Sequence, residues 1–229
     1  MLVVGVAGCS AGTVRPALSA SPAGPSGVSA PLRYVALGDS YTIGTSVAAA
    51  ESWPSRLALA LGGSPPRIEL VANLGVNGYT SGDVVARELP ALGGLAPDFA
   101  TLLIGVNDVV QGVPEATYRR NLGLIFDALL ARLPAGRVLV VTTPDYTVTP
   151  SGADYGDPAT QRAAIVRNNA IITGLARDRG VTVVDIFDIS EAAATDVTLV
   201  AADGLHPSGE QYRRWVERMA PEVERLLGS

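Results

Sequence analysis

The chain has 229 residues, 48% of them hydrophobic and 17% charged, a balance too apolar and too weakly charged for a disordered polymer. That length suits one well-buried domain and is short for two. The formal net charge is −5 and all 17 basic residues are arginines without a basic run, so nucleic acid is not an expected partner.

The one cysteine, Cys9, leaves no internal disulfide, and no Cys/His cluster offers a structural metal site. Val6-Ala7-Gly8-Cys9 follows an apolar stretch from Leu2 and resembles the lipobox of bacterial lipoproteins, whose cysteine is lipidated after signal cleavage. Residues 1–9 are therefore read as a truncated lipoprotein-type signal segment that lacks its basic n-region. Residues 10–31, dominated by Ala, Ser, Gly and Pro, read as a flexible linker, and 32–229 as the one folded domain. The expectation is an extracytoplasmic protein, membrane-tethered through lipidated Cys9 or secreted. The alternative is a frayed apolar tail with an idle thiol on a cytoplasmic protein.

From residue 32 onward, short β-branched runs alternate with longer amphipathic stretches, the pattern of βαβ units on a largely parallel sheet. Strands are predicted over 34–37, 68–73, 99–104, 138–142 and 181–185, and helices over 53–61, 82–89, 115–133, 159–178 and 209–227. Tyr118, Leu122, Ile125, Leu129 and Leu133 recur at steps of three and four, as do Tyr212, Trp215, Val216, Met219, Val223 and Leu226. Ser208 and Gln211 fit a capping box, and Asp157-Pro158 an N-cap with a first-turn proline. Right-handed crossovers then give an α/β fold, a three-layer αβα sandwich.

Reactive groups in such a sheet gather at the carboxyl ends of the strands, which selects the loops at 38–44, 74–80, 105–108 and 203–207. The first holds Gly38-Asp39-Ser40, a serine presented directly after a buried strand, although Asp-Ser is also a common turn pair. The last holds His206, the only histidine, three residues after Asp203, so one turn can set a carboxylate against one ring nitrogen. The same pair can instead cap the helix that follows. Asn73-Leu74-Gly75-Val76-Asn77-Gly78 and Gly105-Val106-Asn107-Asp108 can supply backbone N–H groups and an amide for an oxyanion, or serve only as turns. Asp39 and Asp108 are assigned to loop hydrogen bonding.

Taken in order, Gly-Asp-Ser, Asn-x-Gly-x-x-Gly, Gly-x-Asn-Asp and Asp-x-x-His resemble the blocks of the SGNH (GDSL) esterase and lipase superfamily across nearly all of 33–229. The resemblance implies Ser40 as nucleophile, with Asp203 and His206 completing the triad. It also implies an oxyanion hole from the Ser40 and Gly78 N–H groups and the Asn107 amide, on a five-stranded flavodoxin-like sheet ordered 2-1-3-4-5. Tyr41 departs from the leucine of the name-giving motif, which bears on pocket shape.

The expected activity is that of a serine esterase acting on small or medium acyl esters, including those of sugars or lipids; the family's range covers short-chain carboxylesters, acetylated sugars, lysophospholipids and thioesters. No cofactor and no metal are called for; the partner is a small-molecule ester and the protein is expected to be a monomer. Tyr41, Ile43, Tyr79, Val109, Tyr146 and Leu205 adjoin the reactive loops as candidate pocket residues, and the Pro/Gly/Asp-rich stretch 145–157 reads as a lid, a binding loop or a solvated connection. Competing readings are a lysophospholipase or thioesterase of the same fold, a phosphoesterase using Asp39, Asn107, Asp108 and His206 as metal ligands, and a catalytically inactive lipid-anchored binding domain.

Overall fold

A parallel sheet ordered β2-β1-β3-β4-β5 organises the chain. Its strands are β1 (Leu32–Gly38), β2 (Ile68–Asn73), β3 (Phe99–Leu103), β4 (Val138–Val141) and β5 (Thr182–Val184). The computed structural model describes residues 1–5, 8, 30–63 and 67–228; Cys9 and residues 10–29 of the predicted linker lie outside them. No described helix is long and apolar enough to cross a membrane. The flavodoxin-like order is the one expected.

β1 lies between β2 and β3, so Tyr34, Val35, Ala36 and Leu37 are all fully buried rather than alternating in exposure. Their side chains still point to opposite faces with period two. Tyr34, Ala36, Phe99, Leu139 and Val141 pack under Trp53 and Leu57 of α2 (Trp53–Ala60) and Tyr212, Trp215 and Met219 of α9 (Gly209–Gly228). Val35, Leu37, Leu102, Val138 and Val140 face Leu122, Ile125 and Leu129 of α6 (Glu115–Leu130) and Ile171 and Ile172 of α7 (Pro158–Arg177). These two cores are the outer interfaces of the three-layer sandwich.

The strand and helix ends that differ from expectation have local causes. The strand predicted to run to 104 stops at Leu103, because the Ile104 carbonyl turns to accept the Tyr118 hydroxyl at 3.1 Å. The helix predicted to end at 89, ahead of Pro90, instead continues. After α3 (Ser81–Asp83), a π-helical turn over Val84–Glu88 passes into α4 (Leu89–Leu95). The Leu89 N–H reaches back to the Val84 carbonyl, and this one-residue insertion seats the proline at the start of a new helical stretch without a broken ladder. In α9 the last buried residue of the stripe is Leu227, while Leu226 is only partly covered. Asp157 caps α7 as expected, accepting from the Thr160 N–H at 2.9 Å. The capping box of α9 is half formed. Ser208 Oγ accepts from the Gln211 N–H at 3.3 Å, but the Gln211 amide donates to the Leu199 carbonyl at 3.1 Å.

Candidate active site

The turn after β1 is set by Gly38. Its φ is +153°, and a Cβ there would lie 2.2 Å from the Leu103 carbonyl oxygen and 2.3 Å from Thr42 Oγ1, so only glycine fits. Asp39 then caps the single-turn helix α1 (Ser40–Ile43), its Oδ1 accepting the Tyr41 N–H at 3.0 Å, while Gly44 closes it by donating to the Ser40 carbonyl. Ser40 is thereby held at the C-terminal rim of the sheet with 6% of its surface exposed.

A carboxylic acid that the sequence did not reveal sits beneath this turn. Glu88, at the end of the π-helical turn, accepts the Gly38 N–H at 3.0 Å and is 2% exposed. Burial pushes its carboxyl up to about 9 against the lowering effect of the Gly38 N–H, with the Asp39 and Asp83 charges adding to the rise. Burial likewise pushes Asp39 up to about 8, opposed by the Tyr41 N–H and reinforced by the Asp108 charge. In the unfolded chain Glu88 titrates near 4.5. Between that value and about 9 the folded state therefore keeps a proton that the unfolded chain has released, and stability falls as pH rises. Glu88→Gln retains an acceptor for the Gly38 N–H and removes the titration. Its melting temperature is expected to drop less than the wild type's between roughly pH 5 and pH 9; equal slopes in the two melting series would show that Glu88 is not a neutral acid in the fold.

The second rim loop is tied to the first by side chains: Asn73 Nδ2 donates to the Thr42 carbonyl at 2.8 Å and Thr45 Oγ1 to Asn77 Oδ1 at 2.5 Å. Gly78 takes a φ of +82°, and its carbonyl accepts from Gln111 Nε2 at 2.9 Å, which fixes the direction of that peptide. On α5 (Val106–Val110), Asn107 Nδ2 donates to the Tyr79 carbonyl at 2.9 Å; an amide nitrogen carries two protons, so one is left over. Among the described residues neither the Ser40 nor the Gly78 backbone N–H is committed to a hydrogen bond. Asp108 turns away from the rim, is buried, and accepts from the Ser81 N–H at 2.8 Å and Ser81 Oγ at 2.5 Å.

The last rim loop is a tight reversal closed by the antiparallel bridge Val200↔Pro207 and by Ala201 N–H donating to the His206 carbonyl at 2.8 Å. Asp203 Oδ1 accepts the N–H groups of Leu205 and His206 at 2.9 and 3.0 Å, which turns its other oxygen toward the imidazole. Oδ2 and His206 Nδ1 are 2.6 Å apart. With Nδ1 engaged, Nε2 is the ring nitrogen left to act on the cleft side. Burial alone would push the Asp203 carboxyl up, but hydrogen bonds from Ser46, from the His206 ring and from the two backbone N–H groups hold it well below the usual carboxylate range. The Tyr41 ring lies 5.0 Å from the imidazole, centroid to centroid, and the Tyr212 hydroxyl anchors the Tyr41 carbonyl at 3.0 Å.

These loops enclose one cleft of about 250 Å³, lined by Ser40, Gly78, Asn107 and His206 together with Tyr41, Tyr146 and Leu205. Ile43, Tyr79 and Val109, expected to line it, lie elsewhere. Ile43 points out from the end of α1 with 37% of its surface exposed. Tyr79 contributes its carbonyl to Asn107 and its ring to Arg87, whose guanidinium lies 5.8 Å from the ring centroid. Val109 is on the wrong side of α5. At 100° per residue Val106, Asn107 and Val110 share the cleft face, whereas Val109 joins Asp108 over a separate crevice. Val106, Val110, Asn77 and Tyr155 are the lining residues missed.

Tyr146 and Tyr155 come from the 145–157 segment, which is built of two 3₁₀ turns, Tyr146–Val148 and Gly152–Tyr155. Ser151 N–H donates to the Gly204 carbonyl at 2.9 Å, Tyr146 Oη to Gln161 Oε1 at 2.7 Å, and Arg162 bridges Asp145 and Glu191, the last residue of α8 (Phe187–Glu191). Of the three readings of this segment, the binding loop fits. It is a wall of the cleft, bonded to the loop that carries Asp203 and His206. Among the described residues no three His, Cys, Asp or Glu side chains converge to hold a metal ion, and the ligand set Asp39, Asn107, Asp108 and His206 does not assemble.

The profile of the GDSL-like Lipase/Acylhydrolase family matches residues 36–214. An arylesterase from Vibrio mimicus is 27% identical over 197 residues, 85% of this chain and 90% of the relative. Among solved structures, an α/β hydrolase enzyme from the metagenome of Lake Arreo superposes with a TM-score of 0.66 at 21% identity, covering 86% of this chain and 95% of its own. An acetylxylan esterase from Geobacillus stearothermophilus superposes with a TM-score of 0.63 at 18% identity, covering 86% and 94%. With the four sequence blocks in order and this fold beneath them, the chain belongs to the GDSL-like lipase/acylhydrolase family of ester hydrolases, the SGNH hydrolases.

Proposed function

We propose that the protein is a serine esterase that hydrolyses carboxylic esters of small or medium acyl groups through an acyl-enzyme on Ser40. The observation that carries this reading is the meeting of Ser40, His206, Gly78 and Asn107 on one 250 Å³ cleft, with His206 Nδ1 2.6 Å from the Asp203 carboxylate. His206 Nε2 takes the Ser40 proton as Oγ attacks the ester carbonyl. The Ser40 and Gly78 N–H groups and the spare Asn107 proton hold the oxyanion, and His206 then protonates the departing alcohol. Water repeats the sequence on the acyl-enzyme, returning the acid and free Ser40.

Cleft size and lining support the substrate class. The volume is below the roughly 300–1,000 Å³ of clefts that take drug-sized ligands. Tyr41, Tyr146 and Tyr155 give it aromatic walls and Val106, Val110 and Leu205 an apolar lining, which suits a short acyl chain or a flat aryl group. The likeness to an arylesterase agrees with that choice. A fluorophosphonate probe tests the mechanism, because only an activated hydroxyl reacts with it. Labelling is expected at a single site, Ser40, with loss of turnover in proportion. Ester hydrolysis that survives full exposure to the probe, or a label on another residue, would remove Ser40 from the reaction.

A further inference from the structure

Asp203 Oδ2 accepts a second hydrogen bond from a residue 157 positions earlier: Ser46 Oγ lies 2.6 Å away. Ser46 is exposed, and its backbone has a φ of +68°, a left-handed conformation found at only one other non-glycine residue among the described residues, Ala96. The conformation therefore has no burial to explain it. What it does achieve is to aim the hydroxyl at the Asp203 carboxylate. The turn that holds Ser46 is built directly on Ser40, since the Gly44 and Thr45 N–H groups both donate to the Ser40 carbonyl at 3.1 Å. A continuous path thus runs from the Ser40 peptide through the 44–46 turn to Ser46 Oγ, Asp203 Oδ2 and His206 Nδ1. The other bonds to the Asp203 carboxylate come from Leu205 and His206, within its own loop, so the Ser46 bond is the one that registers this loop against the nucleophile turn.

We infer that Ser46 is a positioning residue of the catalytic apparatus, acting on His206 through Asp203 as a fourth member of the hydrogen-bonded chain. The inference rests on the triad reading above. Ser46 touches no reacting atom; its hydroxyl holds Oδ2 where the imidazole meets it and adds a donor to the carboxylate that stabilises the imidazolium. Ser46→Ala removes the donor and keeps the strained backbone, whereas Ser46→Gly removes the donor and relieves the strain. Both variants are expected to lose roughly 10-fold in kcat with KM within about twofold, the scale of one hydrogen bond to a charged group. The His206 Nδ1 proton resonance should move in both, and the melting temperature should not fall in Ser46→Gly. Unchanged kcat or an unmoved resonance in either variant would overturn the inference, as would a loss of kcat seen only where the melting temperature also falls. Ser40→Ala, measured alongside, separates the two levels. If it keeps full activity the triad reading fails first; if it is inactive while both Ser46 variants are normal, only the role of Ser46 is lost.

Discussion

Alanine at Ser40 is expected to lower kcat by roughly 10⁵- to 10⁶-fold, alanine at His206 to cost about as much, and the double variant to be no worse than either. The reason is that in the proposed mechanism the two residues act as one unit. A serine hydroxyl is a weak nucleophile until its proton is taken, and His206 is the chain's only histidine, held at 2.6 Å by Asp203. Remove either partner and the other has no reaction to assist, while the oxyanion donors remain to give a residual rate. Asp203→Asn should cost less, about 10⁴-fold, by favouring the wrong imidazole tautomer. Hydrolysis of p-nitrophenyl acetate with separate kcat and KM, on variants whose melts match the wild type, provides the comparison. Losses that multiply in the double variant would mean the two residues act independently, and the mechanism would have to be abandoned.

The sheet was legible because its signal is local. Buried runs such as 34–37 are continuous, apolar and bounded by turn residues, and the helices that cover them carry stripes at steps of three and four. The rim residues were legible through their order along the chain. Less accessible was anything decided by partners distant in sequence. Glu88 reads as one more exposed helix carboxylate, and only the π-helical turn brings it under Gly38, 50 residues away. Ser46 looks like an ordinary turn serine until the fold sets it beside Asp203.

Three of the six expected pocket residues, Ile43, Tyr79 and Val109, lie off the cleft for a related reason. Adjacency to a reactive loop does not fix which way a side chain faces, since over one helical turn it selects Val109 as readily as Val110. A facing angle, not a neighbouring number, decides the lining. Tyr155 needed the 3₁₀ geometry of 152–155 and the bond from Ser151 to Gly204, neither of which has a sequence signature.

Asn107→Ala is expected to reduce kcat by about 10²- to 10³-fold with KM little changed, the usual cost of one oxyanion donor. Its amide is oriented before any substrate arrives, because one N–H is spent on the Tyr79 carbonyl at 2.9 Å and the α5 backbone fixes the rest of the side chain. In the proposed mechanism the second N–H then meets the oxyanion without reorganisation, and the bond strengthens as charge develops on that oxygen. An ester carbonyl in the ground state carries little charge, so binding should scarcely register the loss. Affinity for a phosphonate that mimics the tetrahedral state should fall in step with kcat/KM. Ser40 and Gly78 still supply two donors in the variant, which is why the expected loss stops well short of that for Ser40→Ala. A variant that weakens KM and leaves phosphonate affinity intact would instead make Asn107 a support for the Tyr79 loop, and the oxyanion hole would rest on backbone groups alone.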